Sequence, residues 1–247
     1  MLSFTIVLTA LLAATFSFAA PLDPMLHSYE KRDAVCGANF RSLVNNDSCL
    51  PNKAAFTLTP PSTVTKVTFE GNDVPPKVQC DHTVEIQLLD RVASKSGLCE
   101  LIAALTAADP KLKKADLLAS ASDNISKIAN LNFLDGSVNN RKKTVIQRSL
   151  GSPSQQRTDL DKAVASYLDQ VKDASRGVAS TLDKDIADIK AKAVSVLAKL
   201  PDGKGGRDKV TATKNKLKTA LADFKSANTV LAAWNKVLSD AETITQE

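Results

Sequence analysis

The sequence predicts an α+β protein: a small disulfide-stapled head followed by a long antiparallel α-helical hairpin. Three observations carry this reading. Two alternating, β-branched runs lie near residues 54–70. Four cysteines, Cys36, Cys49, Cys80 and Cys99, all fall in the first hundred residues. From residue 160 onward apolar residues step by three and four. Alternation marks a half-buried strand, and three-four stepping marks one face of a helix. The 247 residues are 43% hydrophobic and 24% charged, which excludes wholesale disorder. Aromatic residues make up only 4%, which argues against stacking platforms for single-stranded nucleic acid.

Residues 1–18 carry no charge, and their apolar stretch has the length of a signal-peptide core. Ala19-Ala20-Pro21 supplies the small residues of a cleavage site. The stretch is short for a membrane span, and nothing later is apolar enough for a second one. Residues 1–20 therefore read as a signal peptide, and the mature protein as secreted, extracellular and free of membrane. Residues 21–32 end in Lys31-Arg32 and resemble pro-segments of fungal secreted proteins cut by a kexin-type protease. An even cysteine count fits that route, as two disulfides with three possible connectivities. Loop entropy favours the short closures, Cys36 with Cys49 and Cys80 with Cys99. Asn46 and Asn124 each open an Asn-X-Ser sequon and are expected glycan acceptors in a eukaryotic secretory pathway.

The head spans residues 33–150. Runs 54–59 and 63–70 read as strands separated by Pro60-Pro61, and a third short strand ends near Cys80. Residues 84–93 fit strand and helix equally. Residues 98–107, 113–119 and 137–150 read as helices, the first two separated by Asp109-Pro110. Beyond the linker Gly151-Ser152-Pro153 lies the hairpin, residues 151–247. Its first helix carries a seam from Leu160 through Tyr167, Leu182 and Ile189 to Leu200. The loop from Pro201 to Gly206 ends it, and a second helix is expected with Val210, Leu217, Phe224, Leu231, Trp234 and Leu238 on one stripe.

The chemistry-bearing stretch is Cys80-Asp81-His82-Thr83-Val84-Glu85, with the one histidine expected in the mature chain. Forty-eight residues beyond His82 lies Asn130-Leu131, and nine residues after Asn130 comes Asn139-Asn140-Arg141-Lys142. Together these resemble the HNH (His-Me finger, ββα-metal) nucleases over about residues 80–143. The resemblance implies a β-hairpin followed by a helix, with Asp-His ending the first strand and an N-x-x-K motif on the helix. It assigns Asn130 to holding the histidine loop. The position three after the histidine, often proline in that family, is Glu85 here.

The residue types fit the chemistry as well. Phosphodiester hydrolysis needs an activated water and a hard cation for the developing oxygen charge. His82 is the candidate general base. Asp81 and the Asn139 amide oxygen are candidate ligands for Mg²⁺ or another divalent cation. Arg141, Lys142 and Lys143 are candidate phosphate contacts, so nucleic acid, DNA or RNA, is the expected partner. There is no Gly-x-Ser-x-Gly elbow, His-Glu-x-x-His or phosphate loop. The alternative is a non-catalytic secreted interaction protein, an effector or cell-surface binder, that offers its helical hairpin to a protein partner.

Overall fold

The computed structural model describes residues 34–40, 44–152, 156–202 and 208–245. The expected signal peptide, the pro-segment, Pro153 of the linker and most of the glycine-rich loop after Pro201 lie outside the described residues.

A short ribbon, β1 (Ala34–Val35) and β2 (Ala38–Asn39), precedes a 3₁₀ segment, Asn46–Asn52. Strands β3 (Ala54–Thr59) and β4 (Thr63–Thr68) form the expected hairpin, paired from Ala54–Thr68 to Thr59–Thr63. The third expected strand is β5 (Val78–His82). Helices α1 (Ile86–Ser96), α2 (Leu98–Ala108) and α3 (Lys114–Ile125) follow, so the ambiguous stretch after Val84 is helical. Gly97 joins α1 to α2 with φ of 77°, a left-handed conformation that glycine adopts without Cβ strain. Strand β6 (Leu131–Asp135) then returns to the sheet and leads directly into α4 (Gly136–Ser149), whose first turn Asp135 caps.

The four-stranded sheet has the order β4-β3-β6-β5. β5 and β6 are antiparallel, His82 level with Leu131 and Asp81 with Asn132, while β3 and β6 are parallel. One face, with Ala55, Leu131 and Phe133, packs with Cys49 from the 3₁₀ segment. The other, with Phe56, Val64 and Leu134, packs against the helices.

Helix α5 (Asp159–Lys199) runs 41 residues, about 60 Å. Its buried stripe includes Val164, Tyr167, Val171, Val178, Leu182, Ile186, Ile189, Ala193 and Val196, as the seam predicts. Near its start Ser166 Oγ accepts from the Val64 amide and Gln170 Nε2 donates to the Val64 carbonyl, at 3.2 and 2.7 Å. This covers the exposed edge of β4, where an unpaired strand would invite pairing with another chain. Phe56 and Val64 share one core with Val164 and Leu168, so the expected boundary near residue 150 does not separate two cores.

Two expectations need correction. The second hairpin helix is two helices, α6 (Lys209–Asp223) and α7 (Val230–Thr245). The break is stabilised from outside. Lys225 donates its amide to the Ser96 carbonyl (2.9 Å) and Asn228 Nδ2 donates to the Lys95 carbonyl (2.9 Å). Asp183 of α5 accepts the Val230 and Leu231 amides at 2.6 and 3.0 Å, capping α7.

The disulfides join Cys36 to Cys99 and Cys49 to Cys80, with Cα separations of 5.1 and 5.5 Å. The short closures are therefore wrong. Loop entropy rises only slowly with length, so packing decides. The 3₁₀ segment lays Cys49 on the face of β5 that carries Cys80, and the β1–β2 ribbon packs on the α1–α2 corner where Cys99 sits.

Candidate functional site

Strand alternation sorts the Asp-His pair. Successive side chains point to opposite faces. Asp81 shares the helix-covered face, where Asn139 of α4 lies between Gln79 and Asp81. His82, one residue on, is the last residue of β5, buried and level with Leu131. Asp81 and Asn139 therefore meet.

Asn130 does hold the loop after His82. Fully buried, it accepts the Val84 amide at Oδ1 (2.7 Å) and donates to the Val84 and Ile125 carbonyls (3.1 and 2.8 Å). Its carbonyl also accepts the Thr83 amide at 2.7 Å. Beside this loop the Thr83 hydroxyl meets the Tyr167 hydroxyl at 3.0 Å and accepts from Asn132 at 2.8 Å.

Lys142 is the largest departure. Its side chain is 0% exposed, so it contacts no phosphate. The Nζ donates to Asp81 Oδ2 and to the His82 carbonyl. It also lies 3.0 Å from Glu85 Oε1 and 5.9 Å from the Tyr167 ring centre. Burial alone would push the ammonium down, but Asp81 and Glu85 outweigh it and hold Lys142 well above its ordinary range. Burial pushes Glu85 above the usual carboxylate range, only partly opposed by Lys142, and nearby Asp81 adds to the rise.

Arg141 and Arg148 of the same basic helix are paired internally. Arg141 donates twice to Asp161 Oδ2, at 3.0 and 2.6 Å, and to the Gln156 carbonyl at 2.7 Å. Arg148 reaches Asp161 Oδ1 at 3.0 Å. Burial would raise Asp161, but hydrogen bonds from Arg141 and the Thr158 amide, with the charge of Arg148, hold it below the usual range. Lys143 is half-buried, as Arg141 is, and makes no ion pair among the described residues.

A divalent cation does not fit this arrangement. Asp81 is bonded to an ammonium, and Asn139 is satisfied with its amide nitrogen toward Asp81, donating at 2.8 Å. Among the described residues no group of three or more His, Cys, Asp or Glu is placed to hold a metal ion. Sequence reasoning missed Glu85, Asp161 and Tyr167. Of these, Glu85 had a signal, since it stands where the resembling family often has proline.

The expected glycan acceptors differ. Asn46 is exposed. Asn124 lies in α3, and its Nδ2 donates to buried Asp185 of α5 at 2.7 Å, so the nitrogen a glycan needs is committed to a helix contact.

A groove lies away from this cluster. It measures about 810 Å³ and runs between α2 and α6, lined by Gly97, Glu100, Ala104, Lys216, Ala220 and Asp223 among others. Residues 199–225 carry eight Lys or Arg against three Asp, an excess equal to the net +5 of the whole chain. Among the described residues no helix is long and apolar enough to cross a membrane. No family model, curated protein or solved structure matches the chain.

Proposed function

We propose that the protein is a secreted, non-catalytic interaction protein that offers the exposed lysines of α6 to an acidic partner. The observation that carries this is the Lys142 ammonium bonded to Asp81, where phosphodiester hydrolysis would need a metal ion. Two disulfides fit an oxidising compartment. Lys209, Lys216 and Lys218 are exposed along α6, and the charge excess there favours an acidic surface.

The rival reading is a metal-dependent nuclease with His82 as general base. The order β5, β6, α4 favours it, as does Asn130 holding the histidine loop. Plasmid DNA and RNA incubated with the purified protein and Mg²⁺ separate the two. We expect no cleavage above the level of His82→Ala. Cleavage that His82→Ala abolishes makes the protein a nuclease. The positive half is tested on an immobilised acidic polymer. Reversing Lys209, Lys216 and Lys218 to Glu should lower the salt needed for elution more than reversing exposed Lys66, Lys77 and Lys111. Equal loss from both sets would remove α6 as the binding element.

A further inference from the structure

We propose that two grooves flanking the α6–α7 break form one track for an extended segment of a protein partner, in which carboxylates alternate with apolar side chains. The first is the groove between α2 and α6. The second, of about 280 Å³, lies between α1, the end of α4 and the start of α7. Lys95, in the last turn of α1, lines both. The break runs past the same turn, held there by the bonds from Lys225 to Ser96 and from Asn228 to Lys95. Lys95 is therefore the point where a chain leaves one groove and enters the other. The two helices line the track in the same way. Lys216, Thr219, Ala220 and Asp223 recur at the three-four spacing of one helix face, and so do Thr229, Ala232, Ala233 and Lys236. Each stripe rises about 10 Å, the length of about three extended residues, so the track suits about six.

Charge complementarity identifies the occupant. Four lysines line the track, Lys95, Lys216, Lys225 and Lys236, against Glu100 and Asp223, and the second groove has no acid in its lining. Lys95, Lys216 and Lys225 are exposed and make no ion pair among the described residues. Lys236 reaches Asp240 at 2.7 Å, but that pair is exposed and readily exchanged. Between the lysines the surface is apolar, with Ala104 and Ala220 in the first groove and Val92 and Leu150 in the second. An extended segment sends successive side chains to opposite sides. Its apolar side chains enter the track, and its carboxylates stay at the rim within reach of the long lysine stems. The inference rests on α6 as the binding element and adds the kind of segment that binds there.

The test titrates the purified protein into fluorescein-labelled octapeptides of alternating Glu-Leu, Glu-Ser or Lys-Leu and follows anisotropy. Glu-Leu should bind about tenfold or more tighter than Glu-Ser, the worth of burying one leucine side chain, and Lys-Leu should not bind. Thr219→Glu and Ala232→Glu each place a carboxylate in one groove, at exposed positions whose folding is checked by circular dichroism. Each should weaken Glu-Leu by about tenfold. Asn215→Glu makes the same charge change on α6 outside the groove lining and should leave Glu-Leu binding within about twofold. Equal affinity for Glu-Leu and Glu-Ser, no binding of Glu-Leu, an unchanged affinity in Ala232→Glu, or an equal loss in Asn215→Glu overturns the proposal. So does a dimer in light scattering that Thr219→Glu dissociates, which would assign the grooves to a second copy of the chain. Retention on the acidic polymer separates the two readings. Retention that depends on Lys209, Lys216 and Lys218, with Glu-Leu no better than Glu-Ser, removes the track and leaves α6 as the binding element. Retention independent of those lysines removes α6 itself.

Discussion

Two buried ion clusters draw on one basic run of α4, and they have opposite stoichiometry. Lys142 serves two carboxylates, Asp81 and Glu85. Asp161 serves two guanidiniums, Arg141 and Arg148. The first is short of positive charge, so burial prevails at Glu85 and pushes its carboxyl up. The second is rich in positive charge, so Asp161 is held down despite its burial. The difference shows what the run is for. Arg141 and Arg148 are seven residues apart and share a helix face, while Lys142 is turned about 100° from Arg141 toward the sheet. One side ties α4 to the start of α5, and the other ties α4 to β5 and α1.

The comparison predicts unequal costs when each centre is removed. Lys142→Met strands two carboxylates in a dry site and should cost about 3–5 kcal/mol in urea unfolding, the range for breaking a buried pair. Asp161→Asn should cost less, about 1–3 kcal/mol, because both arginines retain some exposure and can turn to water. Equal costs would mean that charge balance does not distinguish the clusters.

Acidity should split them in opposite directions. The Glu85 carboxyl is raised in the folded state, so its contribution is fully present below its unfolded value, near 4.5, and is lost as pH rises through the folded value. Asp161 is lowered, so its contribution is present above its unfolded value, near 3.8, and is lost as pH falls through the folded value. Glu85→Gln should therefore flatten the alkaline side of the stability–pH curve, and Asp161→Asn the acid side. A Glu85→Gln curve that parallels wild type would show that Glu85 keeps an ordinary carboxyl. The smallest effect belongs to Lys143→Ala. Half-buried and without an ion partner among the described residues, it should change stability by within about 0.5 kcal/mol.

Much of the architecture was legible in the sequence. The alternating runs became β3 and β4, and the three-four seam from Leu160 became α5, because period alone reports which face meets a core. The α6–α7 break was not legible. The apolar stepping continues from Phe224 to Leu231, while the groups that stop the helix, Ser96 and Asp183, are far away in the chain. Disulfide pairing failed for the same reason, since the closeness of Cys49 to Cys80 is a product of sheet packing. At the candidate site, proximity of Asp81 and Asn139 was foreseeable from the motif spacing. The fate of Arg141-Lys142-Lys143 was not, because consecutive helix residues diverge and their acids, Asp81 and Asp161, lie 61 residues before Lys142 and 20 after Arg141. A charge run in sequence is therefore not a patch until the fold has assigned its partners.

The most direct test of the central claim is a Mn²⁺ titration of the wild-type protein, with free ion followed by electron paramagnetic resonance. An ammonium already bonded to Asp81 should leave the free Mn²⁺ signal the same as in a matched titration of Asp81→Ala. Stoichiometric loss of signal in wild type that Asp81→Ala abolishes would show that a metal displaces Lys142, and would return the cluster to catalytic candidacy.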